Sequence, residues 1–262
     1  LYPGPREQNN SKYAGDIGIS SFSPQITSIV RTPTPPKRSD AVTVSWKAKN
    51  LNSGGKIDSS FFNWRLGSSS TTTWTRSKAT ATSGDSLYTA TIPPVNADTL
   101  VSYFVEAYGG GVYGASPDPS KPSFYQIRQS GLTIRDVQFT PYAGGISGML
   151  TDTVTVGGVI VADTTDIKQN LSGRPTLWMA SAAGAWNGIA IYSALSGIVP
   201  DTLVRGDSVQ VTGVVTERGV SSNDSRTSLL VQSFTLVKRG LPIPAATSIG
   251  ISGSGSVSYQ DA

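Results

Sequence analysis

Residues 152–163 read DTVTVGGVIVAD, with Val154 and Val156 before a glycine pair and Val159 and Val161 after it. A run of β-branched residues bounded by aspartates predicts a long strand. Gly157-Gly158 at its centre predicts a bulge, the device by which a sharply coiled barrel strand bends. Further strand-like runs follow at 176–181, 188–193, 207–218 and 228–237, with residues 194–203 reading as one short helical turn. Five strands, the first long and bent at glycine, predict an OB-type barrel over 132–240.

Upstream, residues 24–128 carry shorter runs at 26–31, 42–46, 60–66, 73–78, 87–92, 99–108 and 124–128. Val42, Val44 and Trp46 share one face by period-two alternation, as do Val101, Tyr103, Val105 and Ala107 opposite Ser102, Phe104 and Glu106. Seven short strands between Gly, Pro and Ser turns predict an antiparallel immunoglobulin-like sandwich, with Trp46, Trp64 and Tyr103 in its core. Gln129-Ser130-Gly131 reads as a hinge, and residues 1–23 and 241–262 as extended terminal segments. The expected fold is therefore all-β: a sandwich, then a barrel, with extended termini.

Composition narrows the function. The 262 residues include 37 Ser and 27 Thr, with no Cys and no His, and only 15% are charged. That inventory removes thiolate and imidazole metal sites, disulfides, cysteine nucleophiles and any Ser–His triad. The net charge of +4 is spread thinly, and no basic run exceeds two residues, as in Lys37-Arg38 and Lys238-Arg239. A polyelectrolyte binder needs a more concentrated positive field. No stretch approaches the 18 or so consecutive apolar residues of a membrane span, so no membrane insertion is expected. Leu1-Tyr2-Pro3-Gly4-Pro5 lacks a basic, then apolar, leader pattern. Low charge with abundant Ser, Thr and Gly favours an exported chain whose leader has been removed.

The stretches RDVQFTP (135–141), GMLTDTVTVGGVIVAD (148–163), AWNGIAIYS (185–193) and RGDSVQVTGVVTERG (205–219) resemble OB-fold modules of large secreted bacterial proteins of the Bacteroidota–Chlorobi–Ignavibacteria group, which often accompany extracellular endonucleases. DAVTVSW (40–46), GDSLYTATIPP (84–94) and DTLVSYFVEAYGGGVYGASPDP (98–119) resemble the immunoglobulin or fibronectin-type module found beside them. The resemblance implies secretion and modular architecture. It brings no catalytic motif onto any position of this chain, and fold likeness alone does not carry function.

Candidate chemistry is sparse. Asp163 and Asp166 in ADTTD read as a solvated loop, with too few oxygens for a calcium cage. Gly206-Asp207-Ser208 and Gly84-Asp85-Ser86 read as turns, since neither matches a nucleophile elbow. No catalytic residue, metal or cofactor is expected. Trp178, Trp186 and Tyr192 fall on or near the second and third barrel strands, the face that OB-folds use for oligonucleotides and sugars, with Arg174 the nearby cation. Trp178 shares a face with Thr176 and Ala180, opposite Leu177 and Met179, and core packing competes with ligand stacking for all three rings.

Outside both domains, Ile17, Ile19 and Phe22, then Ile249, Ile251, Val257 and Tyr259, are strand formers. Extended segments of this kind can add a strand to a neighbour's sheet edge, and a head-to-tail contact that does not close builds a filament. The expectation is a non-catalytic, secreted structural or adhesive protein. Its expected partners are copies of itself, then surface glycans, with nucleic acid behind them. The alternative is a nucleic-acid- or polysaccharide-binding module of a nuclease-type secreted protein.

Overall fold

Val42, Val44, Trp46 and Ala48 are all at most 2% exposed, so the alternation in β2 (Val42–Lys49) buries one face against the core. Those residues belong to a computed structural model that describes residues 22–52, 54–83, 86–142, 145–166, 176–193, 202–218, 226–247, 249–250 and 257–258. The chain is nearly all-β. Its first sheet runs in the order β1-β2-β6-β5, where β1 is Gln25–Thr32, β5 is Thr80–Ser83 and β6 is Leu87–Ile92. The second has the order β4-β3-β7-β8, where β3 is Ser59–Leu66, β4 is Thr75–Lys78, β7 is Thr99–Gly109 and β8 is Val112–Ser116. Strand β9 (Ser123–Ile127) pairs with β7 alongside β8.

Trp46 joins the two sheets. Its ring stacks 6.0 Å from Phe62 and 6.2 Å from Tyr88, and its Nε1 donates to Ser60 Oγ at 2.9 Å. A buried indole needs that acceptor, because an unpaired N–H would offset part of the gain from burying the ring. Tyr103 is also in the core, while Trp64 is only partly buried at its margin. Strand β7 departs from simple alternation, since its outer face is covered as well. Trp74 meets Phe104 edge-on at 4.8 Å, and Arg76 pairs with Glu106 at 2.9 Å. The Ser/Thr-rich loop before Trp74 is tied down by Arg65, which donates to the carbonyls of Ser68 and Thr72.

Downstream, β10 (Thr153–Ala162), β11 (Thr176–Ala180), β12 (Gly188–Tyr192), β13 (Ser208–Arg218) and β14 (Arg226–Lys238) close into a barrel in the order β10-β11-β12-β14-β13. All pairs are antiparallel except β12 with β14. Val154, Val156, Leu177, Met179, Ile189 and Leu229 are among the side chains filling it. The bulge expected at Gly157-Gly158 is absent from the ladder with β13, which runs unbroken from Thr153 to Val159. The slip lies on the β11 side, between Ile160 and Ala162. Gly158 instead provides room: a Cβ there would stand 2.5 Å from Met179 Cγ and 3.0 Å from the Ala180 carbonyl.

One end of the barrel is covered by α1 (Ile134–Gln138), which contacts β10 and β12. Thr133 and Asp136 form a reciprocal capping box that satisfies the first-turn amides, and Ile134 and Val137 are fully buried. The helical turn expected at 194–203 lies almost wholly outside the described residues. The tail contributes β15 (Ile249–Gly250) and β16 (Val257–Ser258), paired in parallel with each other.

The first two sheets and the barrel share one continuous cluster of buried apolar side chains. Across the junction, Arg31 of β1 donates from Nη2 to Asp152 Oδ2 at 2.6 Å, both side chains at most 6% exposed. The Arg31 guanidinium also lies 4.6 Å over the Tyr125 ring. Gly148 packs so closely that a Cβ would be 2.4 Å from the Phe124 carbonyl oxygen. The Gln129-Ser130-Gly131 segment, read as a hinge from sequence, is braced at both ends. Gln129 N donates to Asp98, and Arg128 pairs with Asp136 at the start of α1.

Candidate functional site

Barrel strands point successive side chains in and out, so the inward Leu177 and Met179 force Trp178 outward. It is half-buried and sits in register with Ala190 of β12. Tyr192 stands two positions along that strand on the same face, opposite Thr176. Its ring is 3% exposed, its hydroxyl shares a 2.9 Å hydrogen bond with Thr216 Oγ1, and the Arg218 guanidinium lies 4.3 Å over it. Tyr192 is thus a packed ring and not an open stacking platform.

The cations of this face come from the far hairpin. Arg218 ends β13 and Arg226 begins β14, and the two are register partners. Arg226 places its guanidinium 5.9 Å from the Trp178 ring. Two guanidinium–aromatic contacts on one outward face make a surface suited to a flat, polar or anionic group. Sequence adjacency picked Arg174, which lies outside the described residues, and missed both arginines. They reach Trp178 and Tyr192 only because β14 closes the barrel beside β12. The signal available was positional: Arg218 ends the strand read at 207–218 and Arg226 stands two residues before the one read at 228–237, and pairing of those strands brings the two together.

Trp186 occupies a different place. It lies in the turn between β11 and β12 with φ of 68°, half-buried, its ring edge-on to Phe139 at 5.9 Å. It therefore anchors the capping helix and does not extend the row formed by Trp178 and Tyr192.

The carboxylates are used structurally. Thr164, Thr165 and Asp166 of the ADTTD loop are exposed, whereas Asp163 at its start is only 7% exposed. One of its oxygens accepts from Thr165 N at 2.8 Å and Thr165 Oγ1 at 2.6 Å, and the other from Arg205 N at 3.2 Å. Hydrogen bonds from the Thr165 hydroxyl and amide hold its carboxyl below the ordinary range. Asp207, in the turn at Gly206, is 1% exposed and pairs with Arg239 at 2.9 Å. Gly84 and Asp85 are outside the described residues. Among the described residues no group of three or more His, Cys, Asp or Glu could hold a metal ion, and no helix is long and apolar enough to cross a membrane.

Of the strand-forming terminal residues, Phe22 is 51% exposed and its backbone is clamped by Asn52, which accepts from Phe22 N and donates to Phe22 O. Ile249 and Val257 are register partners in the β15–β16 pair. Ile17, Ile19, Ile251 and Tyr259 lie outside the described residues. No protein-family model matches the chain, and no curated protein matches it.

Proposed function

We propose that this chain is a non-catalytic extracellular protein with a structural or adhesive role, which assembles with copies of itself by strand addition through its terminal segments. In this reading the first two sheets form an immunoglobulin-like sandwich and the barrel is OB-type. The sheet orders support both names: β1-β2-β6-β5 facing β4-β3-β7 is an immunoglobulin connectivity, and a five-stranded barrel whose third and fifth strands pair in parallel suits an OB-fold. Low charge and Ser/Thr richness support export.

The observation that carries the structural reading is the junction. A buried Arg31–Asp152 pair and a glycine packed on backbone hold two domains in one geometry, which suits a subunit that spaces or transmits force. A loosely tethered binding module would need neither. A second reading, a glycan- or nucleic-acid-binding module, is favoured by the guanidinium–aromatic contacts at Trp178 and Tyr192.

Sedimentation velocity across a wide range of chain concentration, at low and high salt, tests the choice. Concentration-dependent assembly that ignores salt is the expected result. A chain that stays monomeric throughout, yet binds an oligonucleotide with affinity that falls steeply with salt and is lost in Arg226→Ala, would overturn it in favour of the binding module.

A further inference from the structure

A cleft of about 850 Å³ opens beside the domain junction, at the upper end of the range for ligand pockets. Its lining includes four consecutive residues of β1, Ile29 to Thr32, and the stretch Lys121 to Phe124 that leads into β9. Successive residues of a strand point to opposite sides, so a cavity lined by a run of them meets the strand's edge. Among the described residues β1 pairs only with β2, and β9 only with β7. The cleft is therefore a slot between two unpaired sheet edges.

The slot has a structural cause. At its start β1 lies against β8 and not β9, since a Cβ on Gly114 of β8 would be 2.5 Å from the Pro24 carbonyl. The β1 register then slips between Thr27 and Val30, with Ser28 at φ of 54°, and the strand bends away. The barrel segment before β10 supplies the opposite wall, where Ile146 is 53% and Leu150 38% exposed. Val30, 54% exposed, faces the same space. Free strand edges and apolar walls together call for an extended backbone, which brings amides and carbonyls as well as side chains.

This chain contains such a segment. Residues 249–259, IGISGSGSVSY, put Ile249, Ile251, Val257 and Tyr259 at odd positions and only Gly or Ser at even ones. As a strand it has one apolar face interrupted by Gly253 and Gly255, and one small polar face. In the isolated chain, β15 and β16 pair with each other over two residues each, too short to be an independently stable sheet. We propose that the slot between β1 and β9 accepts residues 249–259 of a second copy as an added strand. Its apolar face meets Val30, Ile146 and Leu150, and its backbone pairs with the free edge of β1. The contact is head-to-tail, so it propagates without closing. This inference rests on the proposed self-assembly and names its acceptor.

The chain has no cysteine, so single cysteines report the contact cleanly. Full-length Ile146→Cys and Val257→Cys chains, mixed under mild oxidant, are expected to form the heterodisulfide about tenfold faster than a control pair of Ser70→Cys with Val257→Cys, because docking raises the effective concentration. A free peptide of residues 249–259 should abolish that advantage. Equal rates in the two mixtures, or an intramolecular disulfide in the dilute double variant, would overturn the proposal, the second by showing that a chain fills its own slot. Sedimentation of the unmodified chain separates the two levels. Assembly without selective cross-linking removes this acceptor and leaves the self-assembly reading standing, whereas no assembly removes both.

Discussion

Two buried aspartates in the junction answer to pH in opposite directions. Burial pushes the Asp136 carboxyl up, but the Arg128 guanidinium and the Thr133 amide and hydroxyl outweigh it and leave it below 3.8. Such a group binds its proton less readily in the folded chain than in the unfolded one. Its contribution is complete above the unfolded value and is lost as pH falls through the depressed one. For Asp152 burial also raises the carboxyl, and Arg31 only partly offsets it, leaving the value above 3.8. Its contribution is complete below the unfolded value and declines as pH rises through the raised one. Asp136→Asn should therefore flatten the acid limb of stability, measured as urea midpoints between about pH 2 and 6. Parallel curves for variant and parent would show that the capping carboxylate is not what acid titrates.

At the scale of elements, the strands with clean alternation were legible and those set by contact were not. Val42 to Trp46 and Leu87 to Ile92 announce themselves because one face is apolar and the other polar. Strands β5 and β8 escaped: TATS and VYGAS have almost no apolar pattern and are strands because β6 and β7 offer them an edge. Helix α1, five residues long, is below the length at which periodicity speaks, although Thr133 and Asp136 spelled its cap. The candidate face was half legible for the same reason. Trp178 followed from alternation, whereas Arg218 and Arg226 reach it through a parallel closure that no local pattern encodes. Gly158 shows how contact, not propensity, fixes a residue. Gly158→Ala should cost about 1–3 kcal/mol by forcing Met179 and the β11 backbone aside, read from the denaturation midpoint. Gly157→Ala, with only one atom near its Cβ, at 3.8 Å, should be close to neutral, and equal losses at both positions would return the glycine pair to a bulge.

For the whole molecule, the question is whether two domains behave as one. The buried apolar cluster runs through both, and the ion pair at its waist is fully withdrawn from water. Buried pairs contribute little net stability against a hydrophobic replacement, but removing one partner strands the other charge, at a cost of about 3–5 kcal/mol. Here the stranded group would be Asp152, whose carboxyl is already strained toward neutrality by burial. That cost falls on the docked arrangement alone, because an undocked barrel returns Asp152 to water. Heat should therefore melt the parent chain in one calorimetric transition with matching calorimetric and van't Hoff enthalpies. Arg31→Ala should split it in two, and Arg31→Met with Asp152→Leu should restore one. A single transition in Arg31→Ala, merely shifted down, would mean that the apolar contacts around Gly148 and Phe124 couple the domains without the ion pair. The pair's role would then be to fix the angle between them, since a hydrogen-bonded ion pair is directional where apolar contact is not.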